Sequence, residues 1–346
     1  MKKLWFLTAL SVVAVAGIFA GGRKQEQQTL TISGFAIAED AVWEYIIAPF
    51  EKQYNCKVVF ESGNNAERLT KVSNNPNTEV DIIYLAQSAA QDGFKSGLFE
   101  KVDYAKIPNA AFINQAARFL IDQGQGPAYT WNRLGIIYNP DAVNAPITSF
   151  ADLWREDLQG KITIPDITTT FGPAMVIIAA KQSGADYAAD QGEAAFQALS
   201  ALKPNLVKTY TRSSDLKNLF VGGEIVAAVA AEFAYNTLNG IDVKTEFVNP
   251  SEGPYLNFNT LNIIKNSKEK ELAYAYLNYI LSEEVQRIAA EHGIDAPINT
   301  QVRLTPNMPA AFTTAETAKN ANSVDFAAVN PLLPAWVDRW NRTLNQ

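Results

Sequence analysis

From residue 29 onward the chain alternates short β-rich runs with stretches whose apolar residues recur every three or four positions. Residues 30–34 form one such run, ending at the turn former Gly34. From 39 to 54, Val42, Tyr45, Ile46 and Phe50 mark one face of a helix. Strand 57–61, helix 66–74 and strand 80–85 follow, and residues 129–131 and 134–139 read as two more strands around Asn132 and Arg133. A second unit repeats the alternation, with a capped turn at 149–154, strand 160–166 and helix 174–182. Helix 193–202, strand 207–210, helix 215–221 and strand 224–231 complete it. Residues 255–265 return to strand character, and 267–290 read as one long amphipathic helix. Such repetition predicts an α/β fold with a mostly parallel sheet covered on both faces. No repeat or flexible tether separates the units, so strands are expected to join them.

Ahead of this pattern, Lys2 and Lys3 precede an apolar stretch over 4–20, and a polar run opens at Gly21. That is the layout of an export signal, with cleavage expected after the small residue Ala20. The stretch is at the short limit for a bilayer span, so an uncleaved anchor is the other reading. The mature product is expected to be periplasmic, with membrane association through the N-terminus as the alternative. The 346 residues are 47% apolar and 19% charged, enough for a full core in two globular units. One histidine (His292) and one cysteine (Cys56) cannot furnish a His- or Cys-rich zinc site or an internal disulfide. No metal and no cofactor is expected. A formal charge of −7 argues against nucleic acid as a partner.

Several segments carry a more specific signal. They are Pro-Phe-Glu-Lys-Gln-Tyr at 49–54 before strand 57–60, residues 79–84, Gly-Leu-Phe-Glu-Lys-Val-Asp at 97–103, and residues 134–139. Thr-Ser-Phe-Ala-Asp-Leu-Trp at 148–154 follows, with Leu-Gln-Gly-Lys-Ile at 158–162 and the helical run 273–284. In this order the chain resembles the extracytoplasmic solute-binding proteins of ABC importers, in the group of the spermidine/putrescine-binding proteins. The resemblance implies a type II periplasmic-binding-protein-like fold, two αβ lobes joined by crossing hinge strands that close on one ligand. It implies a signal peptide at 1–20, an N-terminal lobe of 29–131 and 258–297, and a C-terminal lobe of 132–257 and 298–346. The hinges would lie near Asn132-Arg133 and 256–258. It also implies a monomer that binds a small-molecule ligand and docks on an ABC permease in the membrane.

In open α/β sheets, ligands sit beyond the carboxyl ends of strands, near helix N-termini. On the first lobe that places Phe35, Asn64, Asn65, Gln87 and Ser88 at the cleft, although Asn64 and Asn65 equally suit helix capping. On the second, Thr168, Thr169 and Thr170 precede Gly172-Pro173 and a helix, a seat for a carboxylate or phosphonate or else a capped turn. Tyr129, Trp131 and Tyr255 are wall candidates, with Tyr84, Phe233 and Tyr235 behind them; core packing is the competing reading for each. Glu232 at a strand end could dock an ammonium, and Arg212 lies near the cleft. Arg133 is read either as a cleft cation or as the partner of a lobe carboxylate.

In the spermidine/putrescine group, aromatic walls sandwich the methylene chain and carboxylates hold the ammonium ends. Here the acidic pair expected after strand 160–165 falls on Ile167 and Thr170. The expected Trp-x-Asp falls on Asn257, Phe258 and Asn259. Unpaired ammonium groups in a closed cleft would cost several kcal/mol, which argues against a long polycation. The expected solute is a small amine, polyamine-like or a short ω-amino acid, delivered to a permease. Thiamine- or phosphonate-type receptors share the fold, and a sensing receptor without an importer would look the same. A periplasmic enzyme is the rival class, but the chain has no G-x-S-x-G, P-loop or G-x-G-x-x-G motif, and it is not expected to be an enzyme.

Overall fold

The computed structural model describes residues 27–35, 38–75 and 77–345, so the expected signal peptide lies outside the described residues. The strands are β1 (Thr29–Gly34), β2 (Lys57–Ser62), β3 (Ile82–Ala86), β4 (Ala128–Tyr138) and β5 (Ile162–Pro165). They continue as β6 (Leu206–Tyr210), β7 (Ala227–Ala231), β8 (Glu246–Val248), β9 (Tyr255–Ile263) and β10 (Asn322–Ser323). Among the described residues they join in one sheet of order β2-β1-β3-β9-β4-β7-β5-β6, with β10 on β9 and β8 on β4. The wings are parallel, as the helical crossovers require. The centre is not. β9 runs antiparallel to β3 and β4, and β4 antiparallel to β7.

Two large hydrophobic cores and two smaller clusters sit on this sheet. The first holds Leu30, Ile32, Phe50, Trp131, Phe258 and Tyr276, and reaches Met308 and Phe312 late in the chain. The second holds Leu134, Ile162, Met175, Val229, Trp336 and Trp340. The change-over falls on the central strands. Trp131 belongs to the first core and Leu134 to the second, and on the facing strand Phe258 and Tyr255 divide the same way. Trp131 pairs with Phe258, Asn132 with Asn257, and Leu134 with Tyr255, so two adjacent strands pass together from one lobe to the other.

Three readings of the pattern change. β4 is continuous, because Asn132 and Arg133 find ladder partners on β9 and need no turn. The helix over 39–54 contains a π-helical turn at Trp43–Ile47. The long helix divides into Lys270–Ile280 and Glu283–Glu291, because Ser282 adopts an extended conformation and its hydroxyl caps the Val285 N–H. Beyond the periodic run, helix Leu333–Leu344 inserts Trp336 and Trp340 into the second core.

Candidate functional site

The carboxyl ends of β3, β5, β6 and β7 open onto a cleft of about 660 Å³ between the two lobes. On the first-lobe side, Asn64, Asn65 and Leu69 come from helix Asn65–Ser73 and its cap, and Ser88 and Asp92 from helix Gln87–Lys95. On the second-lobe side, the loop Ile167 to Phe171 faces them with Tyr210, Thr211 and Phe233. Among the described lining residues, Asp92 is the carboxylate, and neither lysine nor arginine is present. This is the strand-end geometry that the α/β alternation implied.

Of the residues expected at the cleft, seven line it: Asn64, Asn65, Ser88, Thr168, Thr169, Thr170 and Phe233. Their polar atoms are partly committed. Asn64 Oδ1 accepts the Glu67 N–H at 2.8 Å as an N-cap, and Asn65 Oδ1 accepts the Ala86 N–H at 3.0 Å, tying its helix to β3. Asp166, buried beneath the threonine loop, holds the turn. Its carboxylate accepts the Thr168 N–H at 3.0 Å and hydroxyl at 2.7 Å, and the Trp340 indole N–H at 3.1 Å. Burial pushes this carboxyl up, but hydrogen bonds led by Thr168 outweigh it and hold it below the ordinary value. The Thr169 hydroxyl donates to the Asp166 carbonyl at 2.7 Å, while that of Thr170 has no protein partner among the described residues.

The turn also needs Gly172. A Cβ there would lie 2.1 Å from the Asp166 carbonyl oxygen and 2.4 Å from Ile167 Cα, both backbone. Gly172→Ala is expected to lose about 2–3 kcal/mol by overpacking, read as a lower urea midpoint. An unchanged midpoint would mean that the loop moves freely.

Other expected residues stand elsewhere. Glu232 is fully buried and does not line the cleft. Its Oε2 accepts the Arg133 N–H at 2.7 Å and its Oε1 the Thr313 hydroxyl at 2.8 Å, so it clamps the crossing strand and cannot receive an ammonium. Arg133 is held there too, donating to Asn249 Oδ1 at 2.8 Å and the Ala311 carbonyl at 2.7 Å. Arg212 is exposed outside the cleft lining. Tyr255 packs in the second core and borders a separate hollow of about 110 Å³. Tyr129 and Trp131 pack in the first core.

Phe35 and Gln87 follow the carboxyl ends of β1 and β3, while Trp131 lies within β4 and Asn257 and Asn259 within β9, where Asn259 pairs with Ala86 at the end of β3 and Phe258 with Trp131. Here Ser33 Oγ, Arg68 Nη2, Gln87 Oε1, Trp131 Nε1 and Asn257 Oδ1 are buried without a hydrogen-bond partner. Each such atom costs about 1–3 kcal/mol, a load that folds retain at functional sites. The reading of the sequence missed Arg68, which is 3% exposed. It donates to the carbonyls of Gly63, Ser33 and Tyr84, and Phe35 lies 4.8 Å from its guanidinium. Burial lowers its pKa to about 10, so it stays charged at neutral pH. It also missed Asp92, because Gly93 and sparse apolar residues hide helix Gln87–Lys95.

Two αβ lobes that meet over a strand-end cleft, joined by paired crossing strands, define a solute receptor of the two-lobe periplasmic type. The model of the bacterial extracellular solute-binding proteins matches residues 45–328, and the chain belongs to that family. It is 49% identical to an ABC transporter protein from Clostridium perfringens ATCC 13124 of known crystal structure. The match has a TM-score of 0.86 over 91% of this chain and 100% of that one. It is also 26% identical over 325 residues to the putrescine-binding periplasmic protein PotF of Escherichia coli (strain K12), covering 86% of this chain and 85% of the relative. The spermidine/putrescine-binding periplasmic protein of the same organism is 24% identical over 330 residues, covering 92% and 93%.

Proposed function

We propose that the chain is the exported receptor of an ABC import system, one that binds a small amine-bearing solute in the interlobe cleft and hands it to a membrane permease. It acts by binding, not turnover, as a periplasmic monomer. The lobes divide at the crossing strands as read from the sequence, except that Ile298, Met308 and Phe312 pack in the first core and bring the segment after residue 297 to the first lobe, and closure turns about Asn132 and its partner Asn257. Relatives named for putrescine and spermidine support an amine. The observation that carries the reading is the lining itself, which among the described residues has one carboxylate, Asp92, together with hydroxyls and the exposed ring of Phe233, and no lysine or arginine. An ammonium fits between a carboxylate and an aromatic face.

The same lining limits the solute. Ile167 and Thr170, where the resemblance expects acids, both border the cleft without charge. A single ammonium, as in a short ω-amino acid, is matched better than the several of spermidine. Calorimetry against γ-aminobutyrate, putrescine and spermidine tests this. Asp92→Asn is expected to weaken amine binding about 10- to 100-fold, the value of a charge-assisted hydrogen bond. Unchanged affinity in that variant, or binding of no amine by the wild type, would overturn the reading.

A further inference from the structure

Across the cleft, one side chain of the second lobe makes three hydrogen bonds to the first. Asn330 follows the short helix Phe326–Val329, whose Phe326 and Val329 are buried in the second core. Its Nδ2 donates to Asp92 Oδ1 at 2.8 Å and to the Ser88 carbonyl at 3.0 Å, while its Oδ1 accepts the Ser88 hydroxyl at 3.1 Å. Ser88 and Asp92 lie four residues apart on helix Gln87–Lys95, which packs through Ala90 against Ile83 and Leu85 of the first lobe. A side-chain amide suits this place because it offers a donor and an acceptor at once. Both groups it holds also line the cleft.

We propose that Asn330 is a latch and positioning residue. It holds the two lobes together through protein groups alone, and it aims the Asp92 carboxylate when the cleft closes. Asp92 Oδ1 is occupied by the amide, which leaves Oδ2 for the solute. The latch thus couples closure to the presentation of the binding carboxylate, and it adds to the closed state whatever solute is bound. It does not depend on the identity of the solute.

Interlobe energy transfer between dyes on exposed positions of the two lobes, without solute, reads the closed-to-open ratio directly. Asn330→Ala is expected to lower that ratio about tenfold, the value of a few partly exposed hydrogen bonds. Asn330→Asp places a carboxylate against Asp92 and is expected to lower it further. Adding Asp92→Asn to Asn330→Asp restores a donor facing an acceptor, and part of the ratio should return. Circular dichroism and the urea midpoint confirm that each variant is folded, since Asn330 lies outside both cores. A ratio unchanged in Asn330→Asp overturns the latch. So does a loss that Asp92→Asn fails to reverse at all, since the contact would then not be the one broken. Failure of every amine to bind would leave these ratios untouched, so the two readings stand or fall separately.

Discussion

Replacing Glu232 with alanine is expected to cost the fold about 3–5 kcal/mol, the largest effect of any single change considered for this protein. The carboxylate accepts the Arg133 N–H and the Thr313 hydroxyl, both buried, and its charge favours the charged form of the Arg133 guanidinium against the cost of burial. Alanine leaves a backbone donor, a hydroxyl and a buried cation without that partner. Because Arg133 also holds the Ala311 carbonyl, the loss spreads to the segment that returns from the first core toward the second. Glu232→Gln keeps an acceptor for one of the two donors and should lose less than half as much. Urea unfolding of both variants measures this. A glutamine variant as unstable as the alanine one would show that charge, not hydrogen bonding, carries the site.

Stability should also fall as pH rises from about 4 to about 7, because of Asp295. Burial pushes this carboxyl up from its ordinary value to about 7, against a weaker opposing hydrogen bond from Thr130. In the unfolded chain it ionises near pH 4, so between these values the folded protein holds a proton that the unfolded chain has released. The contribution is full below pH 4 and is lost as pH rises through 7, with a slope approaching about 1.4 kcal/mol per pH unit. Buried Glu232 and Asp81, also raised by burial, act in the same direction. Asp166 and Glu252, held low, act only in acid below that window. Asp295→Asn is expected to remove most of the slope and to stabilise the protein by about 2–4 kcal/mol at pH 8. A wild type more stable at pH 8 than at pH 5 would contradict this.

The alternation of strands and helices was legible because each lobe's elements carry their own period. Helices Glu193–Leu202 and Asp215–Val221 begin and end where the apolar spacing puts them. β4 and the helix break at Ser282 were not, since both turn on partners that are distant in sequence or on one backbone angle. The threonine loop was legible as a strand-to-helix turn, and its place at the cleft follows from that. Glu232 misled because a carboxylate at a strand end looks the same whether it faces a ligand or a neighbouring strand.

What the sequence by itself determined is the architecture: β-rich runs and amphipathic helices in an order that builds two αβ lobes with strand ends at a shared cleft. Periodicity is a local property, and local residues suffice to express it. What only the tertiary structure decided is which polar side chains remain free. Asp166, Glu232 and Arg133 spend their groups on the fold, whereas Asp92 and Thr170 retain polar atoms toward the cleft. That division depends on hydrogen-bond partners tens or hundreds of residues away, as Glu232 with Arg133 and Asn330 with Asp92 both illustrate. A buried polar group is satisfied by whatever the fold brings beside it, and residue type alone does not say what that will be.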